Sequence, residues 1–132
     1  MTVAFLEGDT LINAERRELG IPRHLWIVLS APERNPDRVL IVNITSNPDW
    51  DASCEIHPGE HVFIDRVSYV NFPAARITSV SQLRAGLNGG VLHFHEPVSA
   101  DLLARIRAGA ARSPYLSKEC YLLLEEQGLI PH

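Results

Sequence analysis

Residues 23–46 read Arg23-His24-Leu25-Trp26-Ile27-Val28-Leu29-Ser30, then Ala31-Pro32-Glu33-Arg34-Asn35-Pro36-Asp37, then Arg38-Val39-Leu40-Ile41-Val42-Asn43-Ile44-Thr45-Ser46. Two apolar runs rich in β-branched residues flank a segment of Pro, Asn and Asp, the pattern of two strands joined by a surface loop. Both runs are nearly continuous rather than alternating. Such strands are buried on both faces or wrap a closed barrel. Each run ends in hydroxylated residues, Ser30 and Thr45-Ser46, at the point where the chain leaves the core. A rigid strand end that reaches solvent is a common place for functional groups.

Working outward, Gly8-Asp9 marks a turn before a short strand at Thr10-Leu11-Ile12, and Gly20-Ile21-Pro22 closes a charged connection. Downstream, residues 47–59 form a polar loop with at most a short strand at residues 54–56. Residues 61–64, 68–72, 75–80 and 91–95 are further strand candidates, and residues 81–87 give one helical turn. Stronger helical signals come last. Ser99 is an N-cap with Asp101 in the first turn, and Leu102, Leu103, Ile106 and Ala110 share a face with Arg105 and Arg107 outside it. Ser117 caps a final helix in which Cys120, Leu123 and Leu124 share a face and Gly128 ends it. The order predicts one domain over residues 1–132, mainly β with C-terminal helices (α+β). Its expected form is a small antiparallel barrel over roughly residues 5–96, with a helical part over roughly residues 99–128 packed on one side.

Composition bounds the function. The chain has 132 residues, 45% hydrophobic and 21% charged, which suits one ordinary globular core. No run approaches the ~18 apolar residues of a membrane span. The first nine residues lack the basic region of a secretory signal, and Cys54 and Cys120 make no disulfide framework, so a cytoplasmic setting is expected. A net charge of −4 argues against uniform attraction to nucleic acid. A local basic site could come from Arg16, Arg17, Arg23, Arg34 and Arg38, although Glu15, Glu18, Glu33 and Asp37 balance them.

The succession of pieces resembles the PemK/MazF plasmid-maintenance toxins, whose SH3-like barrel is related to that of the CcdB toxins. Gly8-Asp9-Thr10-Leu11-Ile12 is similar to the opening strand of that family, residues 23–30 to its basic–apolar–Ser strand, and residues 39–46 to the next strand, ending in Thr-Ser. Phe63-Ile64-Asp65-Arg66-Val67 resembles the later strand carrying an aspartate and a basic residue. Residues 13–20 stand where the family has a Gly/Arg-rich loop, and residues 54–61 and 113–132 look like additions. The resemblance implies a homodimeric toxin of a type II toxin–antitoxin system, a metal-independent endoribonuclease that uses no cofactor and is neutralised by an antitoxin protein. It implies that Arg23 contacts the scissile phosphate, that Thr45 or Ser46 positions the RNA backbone, and that Asp65 and Arg66 form the acid/base and phosphate-stabilising pair.

The chemistry points the same way. Cutting RNA through its own 2′-hydroxyl needs a base, an acid and a cation beside the phosphate. Arginine fits the last role because its planar fork matches phosphate oxygens. Arg23, Thr45, Asp65 and His61 are the catalytic candidates; His24, Arg38, Ser46 and Arg66 are the RNA-binding ones. Histidine can give or take a proton near neutrality. The plainer reading of His61 is a surface or capping residue, and His93 and His95 read as one face of an ordinary strand. Cys54, His57 and His61 with His93 and His95 hold enough nitrogen and sulfur for zinc, but at no recognised zinc spacing; a buried, inert Cys54 is the plainer reading. Trp50, between two aspartates, suits partner contact or loop packing better than base stacking. A second class stays open: a barrel-fold binding module, without nuclease activity, that acts through a protein partner.

Overall fold

A computed structural model describes residues 4–130; Met1–Val3, on which part of the N-terminal reading rests, and Pro131–His132 lie outside the described residues. The chain forms β1 (Thr10–Asn13), β2 (Leu25–Val28), β3 (Val39–Thr45), β4 (Glu55–Ile56), β5 (Ser68–Thr78), α1 (Val80–Asn88), β6 (Leu92–His95), α2 (Ala100–Arg112) and α3 (Lys118–Glu126). A 3-10 turn at Arg17–Leu19 fills the β1–β2 connection. The six strands make one sheet in the order β4-β5-β3-β2-β1-β6, antiparallel throughout. No helix among the described residues is long and apolar enough to cross a membrane.

The architecture is α+β, but the expected closed barrel is not formed. The edge strands β4 and β6 have no ladder between them, and β4 is only two residues long. A side chain spans the gap instead. His61, in the turn that follows β4, hydrogen-bonds through Nε2 to the carbonyl of Glu96, just beyond β6. The Thr10 hydroxyl donates to the same carbonyl at 2.6 Å.

The near-continuous apolar strands are explained by burial on both faces. Leu40, Val42 and Ile44 of β3 point into a core with Leu25, Ile27, Val70 and Phe72 under α2 and α3. Val39 and Ile41 point the other way, against Leu11, Val28 and Leu83. Leu83 belongs to α1, so the helices lie on both faces and not on one side as the sequence predicts. The single helical turn expected at residues 81–87 is a nine-residue helix, capped by Ser79 accepting from the Gln82 N–H. Ser99 and Ser117 cap α2 and α3 in the same way, as expected.

The strands predicted at residues 68–72 and 75–80 are one strand, β5. Its register with β3 jumps from Asn43↔Asn71 to Ile41↔Arg76, so residues 72–75 bulge opposite Val42 alone. Pro73 is tolerated there because a bulge leaves it no ladder hydrogen bond to break. The strand expected at residues 61–64 is a turn. Arg107, placed outside the core by its helical position, is covered: its side chain is 13% exposed, donates to the Leu29 carbonyl at 2.9 and 3.0 Å, and pairs with Glu7.

α2 also fastens the residue 55–60 loop. Arg105 donates to both carboxylate oxygens of Glu60 and to the Glu55 carbonyl at 2.8 Å. The Arg105 guanidinium, helped by the His57 backbone N–H, holds Glu60 at about 2 against an ordinary value of 4.5. A depressed carboxylate stabilises the fold fully above its unfolded value and loses that contribution as pH falls through its folded one. Thermal melts of the parent and Glu60→Gln should therefore differ at neutral pH by ~0.5–1 kcal/mol, the range of exposed pairs. The two curves should converge between pH 4.5 and about 2.

Candidate functional site

β2 enters the sheet from an extended segment in which alternate residues face opposite sides. Leu25 faces the α2–α3 core, and Arg23, two residues earlier, shares its side. Thr45 and Ser46 lie where β3 runs out. Asp65 and Arg66 follow the turn that His61 ties to the end of β6. These five residues line one open cleft of about 580 Å3, together with Phe63, Ser68 and His95. Arg23, Thr45, Ser46, Asp65 and Arg66 are thus brought together from three segments distant in sequence.

The cleft is polar and cationic at its mouth. Arg23 sits over the Phe63 ring, 5.7 Å from its centre, and no carboxylate pairs with it among the described residues. Such a contact orients the guanidinium and leaves its N–H fork free. Arg66 donates to Asp65 at 3.2 Å, with both side chains more than 70% exposed, a contact that a ligand phosphate can displace at little cost. Ser68 donates to the Arg66 carbonyl at 2.9 Å and fixes the backbone there. The Thr45 hydroxyl accepts from the Asn47 N–H at 3.1 Å, so its own proton is available to a ligand.

His61 is not in this lining. It is 7% exposed, its Nδ1 accepts from the Phe63 N–H at 3.0 Å, and its Nε2 therefore carries the proton donated to the Glu96 carbonyl. Both ring nitrogens are engaged by backbone, so His61 positions the turn that carries Phe63 and Asp65. The histidine at the cleft is His95. Its ring lies 5.5 Å from that of His61 and edge-on to Phe63 at 6.0 Å, and its buried Nδ1 has no hydrogen-bond partner among the described residues.

The structure does not bring His24 or Arg38 to the cleft. His24 follows Arg23 and so faces the opposite side of the sheet, where it lines a second cleft. Arg38 precedes β3, whose seven residues at ~3.3 Å each separate it from Ser46. It pairs with Glu119 of α3 at 2.8 Å. Trp50 is exposed in its loop, whereas Asp51 is buried and accepts hydrogen bonds from Ser53 and Ser113. Cys54 packs under α2, where a Cβ on Gly109 would stand 2.8 Å from the Cys54 Cβ. Among the described residues, no three His, Cys, Asp or Glu side chains gather as metal ligands would.

Sequence reasoning missed His95 and Phe63. The alternation His93-x-His95 placed both rings on one face; their partner across the gap was not visible, because it depends on where the residue 61–64 turn lands. No protein-family model, curated protein or solved structure matches the chain.

Proposed function

We propose that the protein is a metal-independent endoribonuclease that cuts single-stranded RNA, the toxin of a type II toxin–antitoxin pair. It acts in the cytoplasm as a homodimer and is held inactive by a cognate antitoxin. The observation that supports this reading is the convergence of Arg23, Thr45, Ser46, Asp65 and Arg66 on one cleft that His95 also lines.

In this reading Arg23 and Arg66 grip the non-bridging oxygens of the scissile phosphate. Thr45 and Ser46 hydrogen-bond the adjoining backbone. His95 and Asp65 share the proton work. One takes the proton of the 2′-hydroxyl as that oxygen bonds to phosphorus, and the other protonates the departing 5′-oxygen, leaving a 2′,3′-cyclic phosphate. The arginines steady the charge that builds on the phosphorane.

A purified sample incubated with a mixed RNA pool in excess chelator should yield fragments with cyclic-phosphate ends, and its expression alone should arrest growth. Intact RNA with normal growth would remove the nuclease reading. One observation favours the alternative of a binding module without cleavage: the net charge of −4 opposes binding to a polyanion. Its signature is a stable complex with a protein partner together with uncut RNA.

A further inference from the structure

The opposite face of the sheet carries a second cleft, of about 600 Å3, that shares no residue with the first. Its floor is apolar, with Leu11 and Ile41 from the sheet and Leu83 from α1. A pocket of this size with an apolar floor and a few convergent polar groups is the usual form of a small-molecule site.

Asn43 and Arg76 converge there. Asn43 is only 5% exposed, lines the cleft, and its Oδ1 is buried with no hydrogen-bond partner among the described residues. Asn71, directly opposite on β5 but outside the cleft lining, has a second buried Oδ1 with no partner among the described residues. An orphaned buried acceptor costs the fold stability, typically on the order of a kcal/mol or more. Two residues along the ladder, Arg76 sits over the Trp26 ring, 4.9 Å from its centre. The Trp26 indole is itself fixed by donating to Asn13 at 3.1 Å. No carboxylate lines the cleft, and none pairs with Arg76 among the described residues. The β5 bulge sets these groups: between Asn71 and Arg76 it changes which residues face this side, so that both do.

We propose that this second cleft binds a planar, amino-bearing heterocycle with a negatively charged tail, the chemistry of a nucleoside monophosphate. The orphaned Asn43 oxygen accepts from the amino group, the apolar floor carries the ring, and the guanidinium of Arg76 takes the anion. The proposal does not depend on RNA cleavage in the other cleft.

The test uses AMP as the probe on the full chain, with Trp50→Phe introduced so that fluorescence reports Trp26 alone, and with calorimetry alongside. AMP should bind and perturb Trp26. Arg76→Gln should weaken AMP about tenfold and leave adenosine unchanged. Asn43→Leu should weaken AMP and adenosine alike, also about tenfold, while melting at or above the parent temperature because an orphaned acceptor is gone. Asn43→Ser serves as a second variant that keeps a small polar side chain. Arg23→Ala should leave AMP binding as it was. Absence of AMP binding, binding indifferent to Asn43 and Arg76, or binding lost with Arg23→Ala would each overturn the proposal.

Discussion

Arg23→Ala should lower RNA cleavage by ~10²–10³, the usual loss when one preorganised donor to a developing charge is removed. The loss should fall on kcat more than on KM, because an arginine that meets the phosphorane stabilises charge absent from the ground state. The melting temperature should barely move, since Arg23 is exposed and rests over the Phe63 ring without an ion pair among the described residues. Arg23→Lys should recover only part of the rate: a lysine restores the charge but not the planar fork. Cleavage unaffected by Arg23→Ala would mean that the cleft does not hold the scissile phosphate.

The second large effect is on stability. Phe72→Ala should cost ~3–5 kcal/mol, the range for emptying a buried phenylalanine site. Phe72 is 1% exposed and lies between the sheet and α2, where a Cβ on Gly109 would stand 3.4 Å from its Cζ. The helix approaches the sheet this closely because residue 109 has no side chain, so little can move in to fill the void. Against a typical domain stability of ~5–15 kcal/mol this is a large fraction, seen as a melting point lower by roughly 10–20 °C. Tyr115→Ala, at a 59% exposed position, should change stability by no more than about 0.5 kcal/mol.

How much of this could be read from the chain depends on whether the cue was local. β2 and β3 were legible because Val, Ile and Leu run together between strong loop residues. Ser99 and Ser117 were legible because a hydroxyl before an apolar helical face is a local capping signal. α1 reads as a single turn because Ser79-Val80 continues a β-branched stretch; in the fold the Ser79 cap and the packing of Leu83 in the cluster with Ile41 favour a longer helix. Pro73 reads as a break between two strands, whereas the bulge absorbs it in the fold. Barrel closure is not legible in the chain, because continuous apolar strands fit two covered faces as well as a closed wall. At the site, Arg23, Thr45, Ser46, Asp65 and Arg66 are named by the resemblance; that they line one cleft is visible only in the fold. His61 and His95 could not be told apart without the spatial meeting of β6 with the residue 61–64 turn.

The seating of the two thiols has a practical consequence. Cys54 lies under α2 and Cys120 is on the inner face of α3, 4% and 3% exposed, and burial raises the pKa of both thiols, leaving them less acidic than usual. A sulfhydryl reagent reaches either sulfur only when a helix lifts away, so alkylation rates become a clock for that opening. With Cys120→Ser the clock reads α2 alone; with Cys54→Ser it reads α3. Equal rates would show the helices leaving together as one cooperative unit, and unequal rates would show which lets go first.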